Sequence, residues 1–121
     1  MWTPPTTPSE TLEKALQVLL ARGFCKGKLS DHMGRVCSIG AVNMALTGSA
    51  SAVPAGSLSL GPNPLNILGM DTIGILQSTI SEITDGLWSG VASYNDHEDT
   101  TLEDVCGLIT RAIEIAETRD A

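Results

Sequence analysis

"GFCKGKLSDHMGRVCSIGAV", residues 23–42, decides how the first part of this chain folds. With Arg22 just before it, the stretch gathers four Lys/Arg side chains, two cysteines and a histidine around "SDHMG". Short pieces of β tendency flank that glycine-containing centre, so residues 24–37 are expected to form a short β-hairpin or a compact loop. What precedes and follows is helical. "TPSE" at 7–10 is a helix start, with Thr7 as N-cap, Pro8 in the first helical position and Glu10 closing a capping box. Leu12, Ala15, Leu16, Leu19 and Leu20 then recur on one face until Gly23 stops the helix. "CSIGAVNMALTG" reads as a second short helix with Ile39, Val42, Ala45 and Leu46 inward and Gly48 as its stop.

Residues 47–63, "TGSASAVPAGSLSLGPN", are uncharged and rich in Gly, Ala, Ser and Pro, which predicts a long surface loop inside one domain. "NPLNILGM" suggests a helical turn capped by Asn63. A firmer helix is expected from Asp71, with Ile73, Leu76, Ile80 and Ile83 on one face and "DG" at 85–86 ending it. "LWSGVASYND" is compatible with a short helix or an extended piece. Thr101 and Asp104 mark the start of the last helix, whose inward stripe is Leu102, Val105, Cys106, Ile109, Ala112, Ile113 and Ala116. The expected architecture is mainly α: three or four helices, with the hairpin or loop between the first two. Residues 1–6 form a flexible lead and 7–121 a single domain.

The chain has 121 residues and a net charge of −7, and its aromatics are only Trp2, Phe24, Trp88 and Tyr94. The charge is uneven: +2 over residues 1–46, −3 over 47–94 and −6 over 95–121. An acidic surface disfavours binding to nucleic acid and anionic membranes. No apolar run reaches a membrane span, and "MWTPPTTPSE" has neither the basic nor the apolar region of a secretory leader. A cytoplasmic protein with reduced thiols is expected.

Two segments together carry a resemblance. The first is "ARGFCKGKLSDHMGRVCSIGAV", of the form RG-aromatic-C-x-G, a turn, then R-x-C-x-x-GA. The second is "GVASYNDHEDTTLEDV", an aromatic-N-D followed by a T-x-x-D/E helix start. The pair resembles a small domain-of-unknown-function family of actinobacteria and the phages that infect them. It covers residues ~9–46 and ~88–118 and leaves 47–87 unmatched. The resemblance implies an accessory protein, phage-encoded or actinobacterial, and implies no catalytic activity. Self-association, as a homodimer, is expected of small proteins of this kind.

Three chemistries compete for the opening stretch. Cys25, His32 and Cys37, with Cys106 or His97 as a fourth, could ligate zinc, although C-x6-H-x4-C is not the spacing of a zinc knuckle. Cys37, at a helix start beside Arg35, is expected to have a lowered pKa, which would suit a thiol function shared with Cys25. Arg22, Lys26, Lys28 and Arg35 could bind a small anion, without any phosphate-loop motif to support it. Tyr94, Asn95 and Asp96 read as a hydroxyl-bearing aromatic and two turn-locking or capping side chains, with no catalytic partner in a recognisable order. The reading that absorbs most of these residues is a non-enzymatic protein-interaction module. It would carry no cofactor and would bind a host or phage protein through Lys26, Lys28, His32, Met33 and Arg35, aided by Trp88, Tyr94 and the 47–63 loop. Met44, Met70 and Trp2 are further interface candidates.

Overall fold

The computed structural model describes residues 5–50 and 64–120. Residues 1–4 of the expected lead, Trp2 among them, and 51–63 of the expected loop lie outside the described residues. Five helices follow one another: α1 Pro8–Arg22, α2 Ser38–Thr47, α3 Pro64–Ile83, α4 Val91–Asp96 and α5 Leu102–Asp120. α1 packs on α2 and α5, and α3 closes the core from the side of α5. Leu12, Ala15 and Leu19 of α1 meet Ala41, Val42, Ala45 and Leu46 of α2 and Val105, Leu108, Ile109, Ala112 and Ala116 of α5. The alanines let the helix axes approach closely, and each fully buried Leu or Ile stabilises by roughly 1.5–3 kcal/mol.

The capping boxes expected at α1 and α5 form largely as the sequence predicts. Thr101 N–H donates to the Asp104 carboxylate at 2.9 Å and Asp104 N–H returns to Thr101 Oγ1 at 3.2 Å, a complete box. At α1, Thr7 Oγ1 accepts from Glu10 N–H at 3.2 Å, but the Glu10 carboxylate accepts from Thr6 N–H at 3.1 Å. The reciprocal bond is therefore displaced one residue upstream. Leu20, expected inward, is 65% exposed.

α3 differs more. It is one helix of 20 residues from Pro64, with no break before Asp71, and Asn63 lies outside the described residues. Its buried line is Leu68, Thr72, Ile75, Leu76, Thr79 and Ile80, whereas Ile73 is half-buried and Ile83 is 44% exposed. The threonines account for the rotation. Thr72 and Thr79 donate their hydroxyls to the carbonyls of Leu68 and Ile75, each at 2.7 Å, so a polar side chain lies in the core with its donor satisfied.

The β-hairpin is not present: among the described residues there is no strand, and residues 24–36 form the compact alternative. Val36, fully buried, pairs on both sides. Cys25 N–H donates to Val36 O and Val36 N–H to Gly23 O, both at 3.0 Å, which sets Phe24 and Val36 parallel. Asp31 N–H donates to Arg35 O at 3.0 Å and Cys37 N–H to Leu29 O at 3.2 Å, an antiparallel pairing at Ser30. A hairpin would bring Phe24 and Val36 together antiparallel. Here the chain makes a full loop between them, taking left-handed backbone at Gly27 (φ 79°) and Gly34 (φ 83°).

This loop lies hard against the first turn of α2. A Cβ added at Gly40 would stand 2.1 Å from the Leu29 carbonyl oxygen, and no rotamer could relieve a clash with backbone. Gly40→Ala is expected to cost about 1–3 kcal/mol in urea unfolding. Gly74→Ala, inside α3 with nothing within 4 Å of the new methyl, is expected to gain about 0.5–1 kcal/mol. Equal effects of the two would show that the loop does not press on α2.

Candidate functional site

The loop has no sheet to support it, so its fixity must come from side chains, and α4 supplies them. Asn95, at the end of α4, is buried. Its Oδ1 accepts from the Ser38 N–H at 2.8 Å and the Ser38 hydroxyl at 2.6 Å. Its Nδ2 donates to the Cys25 carbonyl at 3.4 Å and to Asp96 Oδ1 at 2.9 Å. Asp96 Oδ1 also accepts from Gly27 N–H at 2.9 Å. Both residues thus tie the 25–38 segment to α4; the capping of α5 falls to Thr101 and Asp104. The Lys26 ammonium completes the latch by donating to the carbonyls of His97 and Glu98, while lying 6.0 Å from the Phe24 ring centroid.

Within the loop, Asp31 is the organiser. Its carboxylate accepts from Met33 N–H at 3.0 Å, Arg35 N–H at 2.9 Å and Arg35 Nε at 2.7 Å. Burial alone would push the Asp31 carboxyl up, but the Arg35 guanidinium and the two amides hold it below its ordinary value. Lys28, His32 and Met33 project from this frame, all exposed. Their side chains have no hydrogen bond or ion pair among the described residues. Phe24, Lys26, Lys28, Asp31, His32, Arg35 and Thr100 line an open cleft of about 450 Å³. Of the four cations clustered in sequence, Arg22 is not among its lining residues.

The other expected interaction residues are more enclosed. Trp88 is half-buried, edge-on to the His97 ring at 5.1 Å, and its backbone N–H donates to Thr84 Oγ1 at 3.0 Å. Tyr94 is half-buried against the core, and burial, with the nearby Asp104 charge, pushes its phenol up. His97 Nδ1 accepts from Asp99 N–H at 3.2 Å. Met44 packs partly buried between α1 and α2, and Met70 is exposed on α3.

Two of the cysteines take part in hydrogen bonds that shape the loop and the start of α2. The Cys25 thiol donates to the carbonyls of Lys28 (3.5 Å) and Arg35 (3.4 Å). Cys37 Sγ accepts from Gly40 N–H at 3.3 Å as the N-cap of α2. The expected lowering of its pKa is not found: burial outweighs the helix-start amides of Gly40 and Ile39 and pushes the thiol up. Burial likewise raises Cys25 and Cys106. Among the described residues, no group of three or more His, Cys, Asp or Glu side chains is placed to hold a metal ion. No helix of those residues is long and apolar enough to cross a membrane.

Sequence reasoning singled out Asn95 and Asp96 but missed Ser38, which donates twice to Asn95. No local pattern marks Ser38, because the side chain it meets lies 57 residues further along the chain.

These features describe a small helical domain that displays one latched, irregular loop. The chain belongs to a family of unknown function, DUF6197, whose model matches residues 3–115. No curated protein and no solved structure matches it.

Asn95→Ala strands the Ser38 N–H and hydroxyl in a buried site and is expected to cost about 2–4 kcal/mol, with loss of hydrogen-exchange protection at Ser38 and Gly27. A cost below about 0.5 kcal/mol would show that the latch is dispensable. The raised thiols give a pH prediction. Their folded-state values exceed the unfolded ones, so their contribution is complete below the ordinary thiol value near 8.5 and is lost as pH rises through the folded values. Stability should be flat from about pH 6 to 8 and fall above about pH 9. Cys37→Ser, which keeps a capping atom but removes the titration, should soften the fall.

Proposed function

We propose that this protein is a non-enzymatic accessory protein, a cytoplasmic interaction module of actinobacteria or their phages, that docks a protein partner through the outer side of the 26–35 loop. One observation carries the reading. The loop is fixed from beneath by the Asn95–Asp96–Lys26 latch, yet Met33 stands 69% exposed at its tip, beside Lys28, His32 and Arg35. A pre-organised loop pays little ordering entropy on binding. Methionine adapts to varied apolar surfaces, and the flanking cations favour an acidic partner. In a chain of net charge −7, a fixed basic and apolar tip is the feature that stands apart. The acidic residues of 95–121 offer the same complementarity to a second copy, which is the basis for a homodimer.

A second reading has its own support: the cleft at Phe24, Lys26, Lys28, His32 and Arg35 suits a small anionic ligand, since Lys28 has no ion pair among the described residues. A thermal-shift panel of phosphorylated ligands tests it.

The docking reading is tested with Met33→Asp and Lys28→Glu. Neither side chain supports the fold, so the melting temperature should stay within about 2 °C, while partner recovery from host lysate should fall about tenfold. Unchanged recovery with both variants, and with a deletion within 49–61, would exclude this function.

A further inference from the structure

Beside the exposed tip lies a smaller and more enclosed cavity, about 190 Å³, between the loop and α4. Its lining is chiefly apolar, from Leu29, Ile39 and Ala92, with Cys37 and Asn95 as its buried side chains. Lys28 and Asp96 are the charged residues that reach it. These two charges differ in how they are met. Asp96 Oδ1 already receives Gly27 N–H and Asn95 Nδ2. The Lys28 ammonium has neither hydrogen bond nor ion pair among the described residues. The side chain at this socket that lacks a partner is therefore the cationic one, Lys28, whereas the Asp96 carboxylate is met by two neutral amides.

We infer that the socket seats one bulky aliphatic or aromatic side chain of the protein partner, with an adjacent carboxylate of that partner on Lys28. The inference rests on the docking reading and specifies the partner's chemistry. A cavity of this volume matches a single large apolar side chain, the kind of anchor that dominates small interfaces. Its walls are pre-formed: Leu29 is fixed by its carbonyl bond from Cys37 N–H at 3.2 Å, and the Asn95 latch joins the loop to α4 across the cavity. Little reorganisation is needed to admit the anchor. An acidic neighbour fits a chain in which the loop is the basic exception to an acidic surface.

The test uses the full chain, labelled with nitrogen-15, and an N-acetylated, C-amidated tetrapeptide Gly-Leu-Asp-Gly. Saturable shifts are expected at the amides of Leu29, Ile39 and Ala92. Replacing the peptide's leucine by alanine should weaken binding about tenfold or more, and replacing its aspartate by asparagine about two- to fivefold. Ala92→Phe fills the socket from an exposed helical position, where the fold tolerates it, and should abolish the shifts. Lys28→Ala should remove the difference between the aspartate and asparagine peptides. Absence of shifts at those amides at about 10 mM peptide, equal binding of the alanine peptide, equal binding of the two acidic-position peptides to the native chain, or undiminished binding to Ala92→Phe would each overturn the inference. The two readings fail separately. If Met33→Asp loses the lysate partner and Ala92→Phe keeps it, the socket is wrong and the docking loop stands. If both keep it, both are wrong.

Discussion

The carboxamide of Asn95 is the constraint on which the placement of the 24–36 loop against the helices depends. It is buried, and both of its ends are used: the oxygen by Ser38, the nitrogen by Cys25 and Asp96. These bonds close chain separations of 57 and 70 residues, so one side chain joins the loop, the start of α2 and the end of α4. In a low-dielectric interior such a network is strong when complete and costly when broken. A helical core could form without it. The irregular loop has backbone bridges that are single and converge on one residue, Val36, so its shape rests on side chains: Asp31 and Cys25 within it and the Asn95 latch from outside.

How much of this was legible follows from distance along the chain. Helix ends are local, and Thr101 with Asp104 reads correctly because four consecutive residues contain the whole capping interaction. The faces of α1 and α5 read well for the same reason, since periodicity is a property of one helix. α3 reads less well because Thr72 and Thr79 look polar and are buried, their hydroxyls satisfied one turn back. An apolar count therefore rotates the face toward Ile73 and Ile83. The hairpin expectation failed on direction: β tendency at both ends of 24–36 is real, but two left-handed glycines turn the chain through a full loop. The Asn95–Ser38 contact has no local signature at all, and only the folded chain brings its two halves together.

The cysteines illustrate how the same residues change meaning once burial is known. In sequence, a helix start beside Arg35 favours an ionised Cys37. In the fold the charge that reaches the thiol is that of Asp96, which opposes ionisation, although the helix-start amides do favour it. Desolvation acts against them and is the larger effect, so the sulfur serves as a capping acceptor in its neutral form. Cys25 is likewise occupied by two carbonyls. Both sulfurs lie at the junction of loop and α2, buried, where a small polarisable side chain fits.

Support and presentation are carried by different residues, and that division bears on function. Asp31, Asn95, Asp96 and Lys26 fix the loop through bonds directed inward or along the backbone. The side chains of Lys28, His32 and Met33 project from the same frame and contribute no hydrogen bond or ion pair to it among the described residues; only their backbone takes part, through Met33 N–H and the Lys28 carbonyl. Changing them alters what the loop offers to solvent while leaving intact what holds it. A loop held only by its own turns would couple the two, because any change at the tip would alter its shape. Here the latch lies beneath the tip rather than within it, so exposed chemistry can be strongly apolar and basic without a cost in fold stability. The proposed docking function would use that division, since the recognition surface could change in sequence without loss of the bonds that support it.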